Sequence, residues 1–491
     1  MMVQSIIKNM APKVFDRSVL FVIILTIVSS LVFFWRLGES SLNDWDEGIY
    51  ATNAYEFLQK PGLVATYNGS PWLEKPPLGI WLNALGFKIF GVNNFGLRAV
   101  GGIFCVASVI ILYFLIKKSY SAGVAFVTSL FYVCSPFLIL PHITRSGDLD
   151  EYFLFFTIFL FFLYNNFNKS KLMFGIIGVT GGLAFLTRSY IAFLPLIAIS
   201  IHWFWVGQGE KIKKLVIMWL GLLITIIPWH LYAVYKYPAI FWSNYMGYHL
   251  WKRISVPIET HVGGPLFYLY DLFLISSWPL TIFFIITSIY LLYVVMKSGG
   301  EKEKLWLVWA GVFVVSLTLT KTKLYWYAAG LLPVLYIGAV PALRNLYDYL
   351  VKQKMKFCQL FFVGILIVAA LFYADKAWRT INSPFILPVD KISSFMTDNH
   401  LDNYKIIVYK NEESFYPASF FQFKVIGGHE LEYVNDLSKI PFSDNIVVVT
   451  KFDGMKEIMS KNVDFKWLSD SIYTKYMYKK DEISFVLTQI K

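Results

Sequence analysis

The chain has 491 residues, of which 57% are hydrophobic and 19% aromatic, while only 15% carry a charge. A mean hydropathy of +0.55 excludes an ordinary soluble enzyme and indicates a polytopic membrane protein. The formal charge of +12 does not signal nucleic acid, because clustered Lys and Arg in a membrane chain mark cytoplasmic loops. Cys105, Cys134 and Cys358 all fall in apolar segments, which predicts buried thiols and no disulfide framework.

Apolar stretches of about 17 to 25 residues can cross a bilayer. Eleven are expected: 18–37, 95–116, 121–141, 151–167, 172–188, 190–206, 215–234, 270–295, 305–320, 324–343 and 357–374. The first is read as a retained helix, since it is long for a signal peptide and no small-residue cleavage site follows it. Lys8, Lys13 and Arg17 precede it, and every second gap afterwards is basic again: Lys117 and Lys118; Lys169 and Lys171; Lys211, Lys213 and Lys214; Lys297, Lys302 and Lys304; Arg344, Lys352, Lys354 and Lys356. The positive-inside rule makes these gaps cytoplasmic.

Pro77 to Phe90 is too short to span, and counting it would reverse every later loop. It is expected to lie along the outer interface, where Trp72 and Trp81 suit the headgroup level. After about residue 375 the composition turns mixed, with strand-like KIIVY from Lys405 and NIVVV from Asn445 and a helix-like stretch from Met455 to Lys461. The expected architecture is thus an α-helical polytopic membrane domain over 1–374 and a small extracytoplasmic α/β domain over 375–491. There is no internal repeat of the kind that marks inverted-repeat transporters.

With this orientation Glu39, Asp44, Asp46, Glu47, Glu56 and Glu74 all face outward. The next outward turn, HITRSGDLDEY, adds Arg145, Asp148, Asp150 and Glu151. A later loop carries YHLWKRI, with His249, Lys252 and Arg253, and TKTKLYW adds Lys321 and Lys323. Ionisable residues at membrane depth are costly and usually functional. Carboxylates can take a proton from a hydroxyl, and cations can hold a phosphate. A lipid-phosphate leaving group at the bilayer surface needs both.

WDEGIY and WLEKPPLGIWLNALGFKIFGVNNFGLR resemble the first outer loop of the GT-C membrane glycosyltransferases, in particular bacterial relatives of protein O-mannosyltransferases and of the lipid A aminoarabinose transferases. The resemblance continues through TRSGDLDEYF, GLAFLTR, YHLWKR and TKTKLYWY, so it covers most of residues 40–335. It implies inverting transfer of a sugar from a polyprenyl-phosphate donor to lipid A, a surface glycan or a protein, in a multi-pass protein of a bacterial inner membrane with a periplasmic active site. In the resemblance Asp46 is the base, Glu47 orients the acceptor or supports Asp46, and Asp150 or Asp148 supplies the acid of the second outer turn. Lys75 binds the carrier phosphate, with Lys252 or Arg253 as the second cation and Arg145, Arg188 and Lys323 bordering the donor. Glu74 and His249 match two metal-binding residues of the aminoarabinose branch, but two ligands make an incomplete zinc site, so no cofactor is expected to be required and a divalent metal is the alternative. That branch has an arginine three positions after the base, where this chain has Ile49. The rival reading is a transporter of lipid-linked sugar without chemistry.

Overall fold

The computed structural model describes residues 17–43, 45–258, 261–270, 278–398, 400–410, 416–440, 446–451, 457, 465–467, 472–475 and 482–490. Asp44 and nearly all of the helix expected at Met455–Lys461 lie outside them.

Helices occupy every expected span. They are α1 (Arg17–Phe34), α4 (Asn94–Ser119), α5 (Ala122–Val133), α6 (Asp150–Asn166), α7 (Lys171–Arg188), α8 (Phe193–Val206), α9 (Lys211–Lys236), α10 (Trp278–Ser298), α11 (Glu301–Leu319), α12 (Leu332–Lys352) and α13 (Lys356–Ile381). Side chains of Asn93, Ser121 and Ser170 accept from the amides of Gly96, Val124 and Met173 and so cap α4, α5 and α7. By length and composition seven helical stretches could cross a membrane, one of them the continuous run Lys171–Val206. That run is two helices. Ser189 breaks it with φ 65° and ψ −141°, and a Cβ on Gly181 would come within 2.5 Å of Leu196, which a straight rod would hold far away.

Two expectations on boundaries change. α5 stops at Val133 instead of running to 141, because Pro136 lacks an N–H and pushes Ser135 out of helical geometry. α13 runs to Ile381, seven residues past the expected domain boundary at 374.

α1 and α13 present rows of exposed apolar side chains, among them Leu20, Ile23 and Ile27 on one and Leu360, Val368 and Leu371 on the other. Such belts face lipid in a multi-pass membrane protein. α7 and α9 meet through glycines: a Cβ on Gly178 would lie 1.9 Å from the Met218 carbonyl, and one on Gly221 would lie 2.7 Å from that of Gly175. Small residues at such crossings let helix backbones approach closely.

The loop after α1 is more ordered than its sequence suggests. It holds α2 (Asp46–Gln59), an antiparallel hairpin of β1 (Ala65–Tyr67) and β2 (Ser70–Trp72), and α3 (Leu78–Phe90), the expected interfacial helix. The C-terminal region adds a helix, α14 (Pro388–Asp398), and a sheet of β3 (Lys405–Tyr409), β4 (Leu431–Val434), β5 (Ile446–Lys451), β6 (Phe465–Trp467), β7 (Ile472–Lys475) and β8 (Glu482–Ile490). β3 lies parallel between β4 and β5, β8 runs antiparallel to β5, and β6 and β7 pair with the other edge of β8.

Strand alternation then decides what this sheet covers. Ile406, Val408, Val447 and Val449 join a core with Tyr50, Ile80, Phe87 and Leu97, whereas Ile407, Tyr409 and Val448 face a separate cluster. The sheet is therefore packed onto the segment between α1 and α4. Gly48 permits this approach, since a Cβ there would lie 2.3 Å from the Ala418 nitrogen.

Candidate active site

The first turn of α2 places Asp46 and Glu47 at a helix N-terminus, where partial positive charge favours carboxylates. The two then diverge. Glu47 is fully buried: its Oε1 accepts from Arg98 Nε at 2.7 Å and from the Gly147 amide at 2.6 Å, and its Oε2 accepts from Arg98 Nη2 at 3.0 Å and from the Asn43 amide at 2.6 Å. Arg98 also donates to the carbonyls of Leu37, Ser40 and Ser41. This clasp ties the loop after α1, α4 and the turn before α6 together and leaves Glu47 no free lone pair for an acceptor. Asp46, half-buried, remains on the open side. Trp45, just before it, holds φ 73°, a costly geometry of the kind that clusters at active sites.

Next to Asp46 a cavity of about 240 Å³ is lined by Glu74, Lys75, Arg188, His249, Arg253 and Tyr327, with Ile191, Leu194 and Leu317 as apolar wall. Burial, then the charges of Arg253 and Arg188, push the Lys75 amine down to about 7, against the pull of Asp46 and Glu74. Arg188 ends α7 and is clamped by Asp150, with Nε to Oδ1 at 2.9 Å and Nη2 to Oδ2 at 2.7 Å. Arg253 Nη1 donates to the Tyr327 hydroxyl at 3.0 Å.

His249 Nε2 lies 3.3 Å from Glu74 Oε2. Burial and Lys75 hold His249 down to about 4, so the ring is neutral near pH 7 and donates to the carboxylate. Burial, the largest single influence, pushes Glu74 up, but the His249 hydrogen bond and the attraction of His249 and Lys75 together outweigh it, and the carboxyl stays below its ordinary value. Lys75, Arg188 and Arg253 thus line one cavity with a single carboxylate, Glu74, a balance that suits an anion with several acceptor oxygens.

The remaining expected residues stand as follows. Lys252 is exposed, 5.1 Å over the Tyr248 ring, so of the YHLWKR pair only Arg253 lines the cavity. The structure does not bring Arg145 or Lys323 into it. Arg145 donates to the carbonyls of Val32 and Trp35 at the end of α1, and Lys323 to those of Leu317 and Thr318 at the end of α11, which is how cations satisfy orphan helix carbonyls. Asp148 pairs with His142, Nδ1 to Oδ2 at 3.0 Å, and Asp150 serves Arg188. Ile49 packs against the core shared with the C-terminal sheet.

Sequence reasoning left three features unassigned. Arg98 and Glu47 are 51 positions apart, and no spacing links them. Ser189, whose φ of 65° turns the chain after Arg188, is 3.2 Å from the Tyr245 hydroxyl, itself 3.1 Å from His230 Nε2. The third is a cluster in which Asp46, His142 and Asp148 each offer a ligand atom within 4.8 Å of the others. Two carboxylates and an imidazole suit a divalent ion, which would have to displace the His142–Asp148 contact. Glu74 and His249 offer only two ligands.

The fold, with an acidic pair on the loop after the first helix beside a pocket of cations, is similar to that of solved ArnT and oligosaccharyltransferase structures. A family model described as dolichyl-phosphate-mannose-protein mannosyltransferase matches residues 74–232. An undecaprenyl phosphate-alpha-4-amino-4-deoxy-L-arabinose arabinosyl transferase of Pseudomonas savastanoi is 26% identical over 313 residues, covering 60% of this chain and 56% of that protein. A transferase of the same description from Shewanella sediminis is 26% identical and covers 70% and 64%. The chain thus spans less than two thirds of the length of these two transferases. Among solved structures, ArnT from Cupriavidus metallidurans bound to undecaprenyl phosphate superposes with a TM-score of 0.67 at 14% identity, over 96% of this chain and 97% of that one. The Archaeoglobus fulgidus oligosaccharyltransferase in complex with Zn and sulfate gives 0.56 at 14% identity, over 94% and 72%.

Proposed function

We propose that the protein transfers a sugar, with inversion, from a polyprenyl-phosphate donor to a hydroxyl of lipid A, a surface glycan or a protein on the outer face of a bacterial inner membrane. The observation that carries this reading is the convergence of Lys75, Arg188 and Arg253 on one cavity beside Asp46. Asp46 takes the acceptor's proton, the acceptor oxygen attacks the anomeric carbon, and the bond from that carbon to the phosphate oxygen breaks. The departing phosphate keeps the electron pair and is held by the three cations. The names of the relatives and the undecaprenyl phosphate bound by the structural neighbour support the same donor class. Ile49 in an apolar core speaks against the phosphate clamp of the aminoarabinose branch. A transporter would place its essential charges near mid-membrane, whereas Asp46 and Lys75 sit on the loop between α1 and α4.

Lys75→Ala should weaken donor binding roughly 10- to 150-fold, the equivalent of about 1.5–3 kcal/mol for a charge-assisted hydrogen bond. Lys75→Arg should restore it in part, since a planar fork replaces a point charge imperfectly. The pH dependence follows from the amine sitting at about 7 in the free protein. Below that pH it is charged and binds phosphate, so donor affinity should fall as pH rises through 7, and the fall should vanish in Lys75→Ala. Titration of purified protein with a polyprenyl-phosphate sugar checks both, and parent-like binding by Lys75→Ala sinks the assignment.

A second reading, metal-assisted transfer, draws on the Asp46, His142 and Asp148 cluster. We expect a chelator to leave turnover in place, because an ion there would have to break the His142–Asp148 contact, and His249→Ala to cause a partial loss. Complete loss on chelation that zinc or manganese restores would establish the metal-assisted reading. The outer-face assignment is checked by reporter fusions: those after Lys118 and Lys304 should read cytoplasmic, those at Asn68 and Lys491 outside. A cytoplasmic signal at Asn68 would place the candidate site on the wrong side.

A further inference from the structure

A second polar cavity, of about 450 Å³, lies at the opposite end of the same helices. α6 and α11 connect the two: Asp150 and Leu317 border the first site, while Asn165 and Glu301 line the second, about 22 Å away at 1.5 Å rise per residue. Nothing in the transferase reading uses this cavity.

Its chemistry is that of an anion site. Lys118, Lys169 and Lys302 line it against a single carboxylate, Glu301. Lys302 donates to the Ser119 carbonyl at 3.0 Å and lies 3.6 Å from Glu303, which is outside the lining. The Lys169 amine sits 3.8 Å over the Tyr164 ring. Burial pushes it down to about 8, Glu301 opposing and Lys118 assisting, so these lysines are close enough to repel. Lys118 makes no hydrogen bond or ion pair among the described residues.

The wall is held together by hydrogen bonds between helices. His202 Nε2 donates to the Glu301 carbonyl at 2.8 Å, so its Nδ1 accepts from the Tyr164 hydroxyl, also at 2.8 Å, and α6, α8 and α11 are joined. Trp203, 5% exposed, is among the lining residues, and its buried indole N–H has no acceptor among the described residues. Phe167, Phe204 and Trp205, close in sequence to the lining residues Asn165, Trp203 and Val206, are 48%, 65% and 48% exposed.

We propose that this cavity binds the phosphate of an anionic phospholipid in the leaflet opposite the active site, its acyl chains lying along Phe167, Phe204 and Trp205. Lysine clusters at the ends of membrane helices, flanked by apolar surface, recognise such headgroups. The site is independent of the transferase reading.

The test is native mass spectrometry of the full chain in detergent, titrated with phosphatidylglycerol or phosphatidylcholine, with glycerol phosphate as soluble competitor. The parent should hold one tightly bound phosphatidylglycerol and no equivalent phosphatidylcholine. The Lys118→Gln/Lys169→Gln variant should bind that lipid on the order of 10- to 30-fold more weakly, and Lys118→Arg/Lys169→Arg should retain it. If the double variant fails to fold, Lys118→Gln alone serves, with a loss of about 3- to 6-fold. Displacement by millimolar glycerol phosphate would keep the phosphate chemistry but overturn the lipid as its source. Equal binding of both lipids by the parent, or parent-like binding by the double variant, would overturn the site itself.

Discussion

Asp46→Asn is expected to lower turnover by about 10²- to 10⁴-fold, the range that a positioned general base contributes, while donor binding stays within a few-fold of the parent. The asymmetry follows from where the residue stands. Asp46 borders the cation cavity without lining it, and its charge reaches Lys75 and Glu74 only electrostatically. Asn fills the same volume and cannot take a proton. Turnover with a polyprenyl-phosphate sugar, measured beside donor affinity on one preparation, separates the two effects. Near-normal turnover would remove Asp46 as base and reopen a binding or transport role for the whole site.

Arg98→Ala should destabilise the protein by about 3–5 kcal/mol, the cost of leaving one partner of a buried ion pair uncompensated. Glu47 would lose two of its four donors in a site that water does not reach, and the carbonyls of Leu37, Ser40 and Ser41 would lose theirs. Because the clasp fixes the first turn of α2, activity should fall further than stability explains, through misplacement of Asp46. Arg98→Lys should recover part of the stability and less of the activity, since a point charge does not replace the fork on Glu47. Thermal unfolding in detergent reads the first effect, and specific activity of the folded fraction reads the second. An unchanged melting point would show that the pair is not buried as described.

The sequence determined what composition and local pattern control. Runs of apolar residues placed a helix at each of the eleven expected stretches, because apolar surroundings favour backbone groups that pair within the segment. Leu78 to Phe90 forms the helix expected there, and the strands expected at KIIVY and within NIVVV, legible from their β-branched content, are present. The loop motifs singled out Asp46, Lys75, Arg188 and Arg253, which share one region of the structure.

The tertiary structure alone decided which charges do what. Arg253 and Lys252 are neighbours in sequence, but helical rotation sends one into the cavity and the other over Tyr248. Arg145 and Lys323 look like donor-binding cations until the carbonyl ends of α1 and α11 are seen to occupy them. Asp46 and Glu47 are adjacent, yet only the fold brings Arg98 and Gly147 onto Glu47 and leaves Asp46 open. In each case the residue's role depends on partners from distant segments, and a buried charge takes its chemistry from the partner that compensates it. That information is absent from any local stretch of the chain.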